Sequence, residues 1–291
     1  MTDSPEPSKL ESAKTPDALD QLALQIRHTL KSADPDQVHD FRVATRRFGQ
    51  ALAVMDDSAP HIEKIRGLLK RPMKFAGAVR DCDIALKLIR KMNAPLTLQA
   101  KLKRRRADAE RPLIELLRDW TDRGVLGKWR SQIPEGKTSP RAGRGALREA
   151  IHRLFKRGEK ADGPPRALHK IRIAAKKLRY TMELTAADPA RVERIKQLQS
   201  KLGDINDHES ARRLVRELGA SQRLTDLLKE KQDKKIRQFR RAWKEEFEGT
   251  EHEWQGALAR PPGQIRKKPT AARSRSQSVA TAAVRERPKS A

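Results

Sequence analysis

The same basic pattern occurs twice in this sequence, at positions 130 residues apart. Residues 38–47 read VHDFRVATRR and residues 168–177 read LHKIRIAAKK. Each copy has a histidine, then a basic residue on the next helical turn, then two adjacent basic residues one turn further. Arginine offers phosphate oxygens a planar fork of donors, lysine offers a mobile point charge, and histidine gains charge when an anion raises its pKa. The duplicated pattern therefore indicates a paired site for anions.

Helical geometry places the shared residues of each copy on one side of a helix. At about 100 degrees per residue, His39, Arg42 and Arg46 lie one above another on the flank of an apolar stripe. His169 and the two basic residues that follow it repeat this arrangement. Stacked cations repel one another unless carboxylates of a neighbouring helix or a bound ligand neutralise them. Pairing with carboxylates does not require a histidine at one phase of two distant helices, so the repeat favours a ligand.

The elements that must position these residues are predicted to be helices. Apolar residues recur at intervals of three and four along the chain, and Asp34 before Pro35 is predicted to begin the helix with the first copy. Hydrophobic residues make up 36% and aromatic residues 4% of the chain, which suits amphipathic helices better than one large core. Together with the repeat, this predicts an all-α protein of two antiparallel helical bundles related by a pseudo-twofold axis.

Composition changes along the chain predict the domain boundaries. Residues 1–16 and 261–291 have too little apolar content to fold and are predicted to be disordered arms. The polar stretch at 134–145, PEGKTSPRAGRG, is predicted to link a first helical half at 17–133 to a second half at 146–258. A weaker repeat at an offset of 126 residues aligns GAVRDCD at 77–83 with GDINDHE at 203–209.

The charge balance predicts a polyanionic partner. The chain has 65 lysines and arginines against 38 aspartates and glutamates, a formal net charge of +27. Subtracting the +7 of the arm at 261–291 leaves +20, so the folded part is itself basic. We expect no membrane span, because no run approaches the roughly 18 apolar residues required, and no secretory signal. These features predict a cytoplasmic protein.

The residues quoted above resemble the conserved histidine α-helical domain, the CHAD family. VHDFRVATRR with RDCDIAL, and LHKIRIAAKKLRY with LGDINDHE, are similar to the two halves of that domain across roughly residues 17–257. The resemblance implies two bundles about a pseudo-twofold axis that bind inorganic polyphosphate along a basic track, and an association with polyphosphate granules. It implies phosphate contacts by His39, Arg42, Arg46, Arg47, His169, Arg172, Lys176, Lys177 and Arg179, with Lys70, Arg80 and Lys196 as weaker candidates.

The sequence departs from the family pattern at one position, and it contains no sign of an attached enzyme. Gly49 stands where Arg179 stands in the second half, so the first half is expected to provide one contact fewer. No triphosphate tunnel domain is found within these 291 residues, which favours binding without hydrolysis. We therefore expect a protein that is not an enzyme and needs no cofactor.

Several other motifs have a structural interpretation beside a functional one. The pair His39–Asp40 lacks the further ligands of a metal phosphohydrolase, and the single Cys82 lacks a second thiol for a disulfide or a zinc site, so no metal site is predicted. Asp81 and Asp83 are better explained as carboxylates that pack between helices than as ligands of a divalent cation. The run KLKRRR at 101–106 is either a solvated helix face or an extension of the anion track. The tryptophans at 120, 129, 243 and 254 are expected to anchor helix ends.

Nucleic acid remains the alternative partner, because its backbone is also a regular line of negative charge. One tyrosine and six phenylalanines give few rings for stacking on bases, and no helix-turn-helix or zinc finger is recognisable. The basic arm at 261–291 could contact DNA or RNA without sequence specificity. A scaffold that recruits acidic proteins would explain the net charge but not the repeated histidines.

Overall fold

The computed structural model describes residues 15–54, 59–133, 140–185 and 187–256. The described residues form helices and no strand, which confirms the all-α prediction. In chain order the helices are α1 Thr15–Lys31, α2 Pro35–Val54, α3 Pro60–Leu68, α4 Lys70–Arg90, α5 Leu96–Asp122, α6 Val125–Gln132, α7 Pro140–Gly158, α8 Pro165–Leu184, α9 Pro189–Glu217, α10 Gln222–Glu246 and α11 Glu251–Gly256. None of these helices is both long enough and apolar enough to cross a bilayer.

Two of the predicted boundaries meet described helices. Thr15 and Pro16 begin α1, while the remainder of the predicted arm at 1–16 and the arm at 261–291 lie outside the described residues. Helix α7 begins at Pro140, so the second half of the predicted linker at 134–145 is helical. Proline suits the first helical position, because its ring fixes φ and its missing N–H has no partner there in any case. Pro140 therefore provides a helix start within the stretch that was predicted to be a linker from its proline, glycine and serine content.

The helices of the two halves correspond in order and in packing. Helix α1 packs on α2 as α7 packs on α8, and α4 packs on α5 as α9 packs on α10. One difference is a break at Leu69 between α3 and α4, where the second half has the single helix α9. Pro72 lies just after this break, and a proline removes a helical hydrogen bond and clashes with the preceding turn. At the offset of 126 its counterpart is Leu198, which a helix accommodates.

Capping fixes where the first repeat helix begins. Asp34 accepts hydrogen bonds at Oδ1 from the backbone N–H groups of Asp36, at 3.0 Å, and Gln37, at 2.9 Å. These bonds satisfy two donors that have no partner within α2. The predicted start of α2 is therefore confirmed. The start of α2 determines on which side of the helix each basic side chain of the first repeat lies.

Three apolar clusters hold the helices together. One lies within the first half and includes Phe41 and Phe48 of α2, and a second lies within the second half and includes Ile171 and Leu178 of α8. The third joins the halves, because it combines residues of α4 and α5 with residues of α9 and α10. Its members are Cys82, Ala85, Leu86, Ile89, Ala94, Leu98, Leu102, Ala211, Leu214, Val215, Leu224 and Leu228. The two bundles are thus fixed to each other by a shared core.

Tryptophans attach one short helix to each half. Trp129 of α6 lies 6.0 Å from the ring of Phe48 and 5.0 Å from that of Trp120 near the end of α5. In the second half, Trp254 of α11 stacks at 5.7 Å on Phe247, which directly follows α10. Both short helices are held to their bundles by these rings, as expected for tryptophans that anchor helix ends.

Candidate anion-binding site

The two repeat helices lie against each other at the junction of the halves. Helix α2 contacts α8 directly, and Gln50 Nε2 donates to Thr181 Oγ1 at 3.0 Å. Glu183 of α8 completes this seam, since it lies 3.7 Å from Arg47 Nε and 3.4 Å from Arg179 Nε. The fold therefore brings together two sequence copies that are 130 residues apart.

Five cations from three helices converge beside this seam, and we call them the central basic cluster. They are Arg42 and Arg46 of α2, Arg80 of α4, and Arg172 and Lys176 of α8. Burial and, to a smaller extent, the positive charges of Arg46, Arg172 and Arg80 lower the pKa of Arg42 to about 10. Burial likewise lowers the pKa of Arg172, and the charge of Arg46 contributes. The cluster thus gathers like charges where water only partly screens them.

Lys176 is the most strongly affected member of the cluster. Burial and the nearby guanidinium groups of Arg46, Arg172 and Arg42 lower the pKa of its amine to about 6. Its Nζ makes no hydrogen bond within the described residues, yet it is not among the polar atoms sealed from solvent. At neutral pH without a ligand, Lys176 therefore carries a mostly uncharged amine that solvent can reach.

Two further members of the cluster have no intramolecular partner among the described residues. Arg46 and Arg172 make neither a hydrogen bond nor an ion pair within 4.0 Å, and Nε of Arg172 is buried without an acceptor. Arg42, in contrast, donates from Nη1 to the carbonyl oxygen of Met73 at 3.3 Å. A buried polar group without a partner costs free energy, so these side chains have donors available for a ligand.

Two carboxylates approach the cluster without neutralising it. Asp81 of α4 and Asp207 of α9 occupy equivalent positions at the offset of 126. Burial raises the pKa of both carboxyl groups. The charges of Arg42, Arg213 and Arg172 oppose this rise at Asp81, and those of Arg172 and Arg80 oppose it at Asp207. Neither lies within 4.0 Å of a cluster cation, and the nearest ion pair is Asp81 with Arg213 at 3.8 Å. Cations of the cluster therefore outnumber its carboxylates.

The two repeated histidines flank the cluster in different surroundings. His169 Nδ1 lies 3.2 Å from Asn206 Oδ1. Burial lowers the pKa of His39, and the charge of Arg80 lowers it further. Arg80 of α4 and Asn206 of α9 are equivalent at the offset of 126, so the two histidines lie near equivalent positions of these two helices. The first half places a cation there and the second an amide.

The structure places the other predicted contact residues outside the central basic cluster. Arg47 and Arg179 share Glu183, and Lys196 pairs with Glu193 at 3.3 Å. Burial lowers the pKa of Lys177, and its neighbouring cations are Arg153 and Arg66 of other helices. Lys70 is exposed at the start of α4. Phosphate contact by these five residues stays a prediction.

Glycine allows the arginine of the first half to approach α4. A Cβ added at Gly77 would lie 3.0 Å from Arg42 Nη1, whereas one added at Gly203 would meet nothing within 4 Å. The sequence indicated the correspondence of Gly77 and Gly203, but not this close approach. The sequence ranked Arg80 only among the weaker candidates, whereas the structure places its charge beside Arg42 and His39.

The remaining motifs are explained by packing. Asp83 is buried and accepts from Arg106 Nε at 2.7 Å, which agrees with the interpretation of a carboxylate between helices. Within 101–106, Arg106 is thus structural, and Lys101 Nζ donates to the carbonyl of Leu218 at 3.2 Å, while residues 103–105 are exposed. Among the described residues, no group of three histidine, cysteine or acidic side chains could hold a metal ion.

Two grooves on the described part of the chain lie away from the four cations of α2 and α8. One, of about 600 Å³, lies between α9 and α10, where Lys235 pairs with Asp204 at 2.7 Å and Arg241 with Glu245 at 2.8 Å. The other, of about 330 Å³, is lined by α4, α5 and α9 and reaches Asp81. Their charges are largely paired, which distinguishes both grooves from the central basic cluster.

Comparison with known proteins places the chain in a family. No curated protein matches it. The crystal structure of the CHAD domain from the plant Ricinus communis is similar with a TM-score of 0.56 and 22% identity, covering 89% of this chain and 94% of that one. PptA from Streptomyces chartreusis is similar with a TM-score of 0.58 and 13% identity, covering 80% and 96%. At these identities the likeness shows the fold alone. The family model described as CHAD domain matches residues 16–216, which is more than half of the chain, and this protein therefore belongs to the CHAD domain family.

Proposed function

We propose that this protein binds long-chain inorganic polyphosphate through the central basic cluster without changing it chemically. The observation that carries the proposal is that Arg46, Arg172 and Lys176 converge from both halves and have no hydrogen-bond or ion-pair partner among the residues that the structure describes. A phosphate chain would supply the missing acceptors and neutralise the excess charge. Guanidinium groups bind the oxygens of both phosphates and carboxylates bidentately, but only a chain of phosphates repeats its negative charge closely enough to engage several of these cations at once.

The position of the cluster favours a polymer over a single phosphate. Its cations come from α2 and α4 of the first half and from α8 of the second, and α2 packs against α8, so successive phosphates of one chain could reach both halves. Each exposed contact is worth about 1 kcal/mol or less, but a chain already held at one cation meets the next at high effective concentration. By this reasoning the protein would associate with polyphosphate granules in the cell, where such chains accumulate.

The first prediction is that removing the four cations of the repeat helices weakens polyphosphate binding. We expect the quadruple variant Arg42→Ala, Arg46→Ala, Arg172→Ala and Lys176→Ala to lose at least about a hundredfold in affinity, from roughly 1 kcal/mol for each contact. Its melting temperature without ligand should stay level or rise, because like charges have been removed. Both quantities are measured on one sample, by binding titration and thermal unfolding.

A matched control separates this effect from the loss of net charge. Arg223, Arg237, Lys231 and Lys234 are exposed on α10 and form no ion pair with described residues. Replacing them with alanine removes the same formal charge and should change the affinity only about threefold. Equal losses in both quadruple variants would contradict the proposal, as would unchanged affinity with a lowered melting temperature in the first variant.

Two further measurements test the finer parts of the proposal. In competition at about 0.15 M salt, polyphosphate should displace double-stranded DNA from the wild type. A preference for DNA that survives in the first quadruple variant would favour the nucleic-acid alternative. The amount of orthophosphate released from polyphosphate during incubation should equal that without protein, and protein-dependent release would show an enzyme.

A further inference from the structure

The side chain of Lys176 combines two properties that the proposed binding of polyphosphate does not by itself require. Its amine is mostly uncharged at neutral pH, as its pKa of about 6 indicates. It also lies among guanidinium groups that can hold a phosphate, with Arg46 and Arg42 on α2 and Arg172 one turn earlier on α8. An uncharged amine is a nucleophile, whereas the ammonium form of an ordinary lysine is not.

We propose that Lys176 is a site of covalent acylation by acyl phosphates, with the arginines of the central basic cluster binding the phosphate group that departs. An acyl phosphate contains a reactive carbonyl carbon joined through oxygen to a phosphate. The guanidinium groups recognise the phosphate end, and the carbonyl carbon then lies near Nζ of the same cluster. Recognition and reactivity thus come from neighbouring side chains.

The reaction is balanced without a further reactant. The lone pair of Nζ attacks the carbonyl carbon, and a tetrahedral intermediate forms. The bond from that carbon to the bridging oxygen then breaks, and the electron pair leaves with orthophosphate. The nitrogen loses a proton to water, which gives an amide on Lys176. Charge that develops on the leaving phosphate is neutralised by Arg42, Arg46 and Arg172, which favours bond cleavage.

The charged groups around the amine favour this site over other lysines. Asp207 of α9 is the carboxylate that acts on Lys176, and its effect is smaller than those of the three arginines. No carboxylate of the described residues forms an ion pair within 4.0 Å that would restore the ammonium form, and the amine is not sealed from solvent. Lys170 on the same helix is an exposed lysine without a described ion pair, so it provides an internal reference.

The experiment exposes the full chain to acetyl phosphate at about pH 7 and quantifies acetylation of each lysine by peptide mass spectrometry. We expect Lys176 to be acetylated at least about tenfold faster than Lys170, because far more of its amine is uncharged. Arg46→Ala should slow the reaction at Lys176 by about threefold or more, since it removes a phosphate-binding group and raises the pKa of the amine. Lys176→Arg should abolish the modification at this position and leave Lys170 unaffected.

Acetic anhydride, which contains no phosphate, tests the role of the arginines. The preference for Lys176 over Lys170 should be several-fold smaller with acetic anhydride than with acetyl phosphate. Equal preference with the two reagents would overturn recognition of the phosphate, and acetylation of Lys176 no faster than Lys170 would overturn the site itself. An unchanged rate in Arg46→Ala would overturn the proposal as well.

Regulation of binding by this modification rests on the proposed function and is tested separately. An acylated Lys176 cannot become positively charged, so the acetylated protein should bind polyphosphate about tenfold more weakly. Saturating polyphosphate should also protect Lys176 but not Lys170 from acetylation. Acetylation without protection would leave the modification site standing and contradict the proposed function, whereas polyphosphate binding without acetylation would contradict only the modification site.

Discussion

The excess of unpaired positive charge is the main feature of the site at the scale of single residues. Lysines and arginines on protein surfaces are either solvated by water or paired with carboxylates, as Arg47 and Arg179 are with Glu183. In the central basic cluster, Asp81 and Asp207 are close enough to affect the arginines but not to pair with them. The ligand-free protein therefore keeps like charges together at a cost that an anion would relieve.

The second prediction is that polyphosphate binds more tightly as the pH falls. The pKa of Lys176 is about 6 in the ligand-free protein, because of burial and the three arginines, and a bound anion raises it towards 10.5, the usual pKa of a lysine. Binding is therefore accompanied by protonation of the Lys176 amine above about pH 6. The Kd for polyphosphate should increase by up to about tenfold per pH unit between pH 6 and 8. Titrations across this range, and calorimetry in buffers of different ionisation enthalpy, measure the slope and the proton.

The variant Lys176→Arg is the control for this pH dependence. Arginine stays charged across the range, so the slope of log Kd against pH should become smaller. In the absence of ligand, the lowered pKa of Lys176 affects the stability of the fold, and this effect has the opposite dependence on pH. The unfolded chain binds the proton of Lys176 between pH 6 and 10.5 and the folded chain does not, so this residue makes the folded state more stable as pH rises. A pH-independent Kd in the wild type would show that Lys176 does not contact the ligand.

The third prediction compares the two equivalent glycines. Alanine favours a helix over glycine by about 1 kcal/mol, so Gly77→Ala and Gly203→Ala should both raise the melting temperature. A Cβ at Gly77 would lie 3.0 Å from Arg42 Nη1, and the flexible guanidinium would move and weaken its bond to Met73. Only Gly77→Ala should therefore weaken polyphosphate binding, by about threefold. Equal affinities of the two variants would show that the placement of Arg42 does not matter.

At the scale of helices, the sequence predicted the elements better than their contacts. Periodicity and the capping by Asp34 located α2, and the repeat predicted that α2 and α8 are equivalent. Lys177 lies near Arg66 of α3 and Arg153 of α7 rather than near the central basic cluster. The sequence of α8 alone does not indicate which helices pack beside this residue. The break before α4 follows from Pro72, but the apolar periodicity continues across it, so periodicity alone does not locate the break.

The fourth prediction concerns the equivalent ion pairs of α4 and α9. Asp83 pairs with Arg106 of α5 at 2.7 Å, with side chains only 5% and 18% exposed. Glu209, its counterpart at the offset of 126, pairs with Arg212 of its own helix, with side chains 45% and 23% exposed. Asp83→Ala should lower the free energy of unfolding by about 3 kcal/mol, because it leaves a buried guanidinium with fewer partners.

The control for this prediction is Glu209→Ala, which should cost less than about 1 kcal/mol because its pair is more exposed and lies within one helix. Urea unfolding of both variants measures the difference. Equal losses of unfolding free energy in the two variants would contradict the prediction. They would show that the buried pair between α4 and α5 contributes no more than the pair within α9. Polyphosphate affinity should change little in either variant, since both pairs lie outside the central basic cluster.

At the scale of the whole molecule, the shared core determines the geometry of the site. The third apolar cluster joins α4 and α5 to α9 and α10, so the halves are held in one arrangement. The seam through Gln50 and Thr181 adds a direct contact between the repeat helices. The repeat in the sequence predicted two related halves, but the residues of this core have no pattern that identifies their partners across the molecule. Preorganised cations lose little freedom when a ligand binds, which favours affinity.

The fifth prediction is that affinity depends strongly on the length of the phosphate chain. One chain that reaches cations of both halves benefits from a high effective concentration at each successive contact, whereas a short anion makes few contacts. Polyphosphate of about a hundred units should bind at least about a hundredfold more tightly than triphosphate, when both are expressed per molecule of ligand. The double variant Arg172→Ala and Lys176→Ala removes the cations of α8, so it should weaken binding of the long chain more than that of triphosphate. Titrations with chains of defined length measure both ratios, and equal affinity for triphosphate and the long chain would contradict a track that spans the two halves.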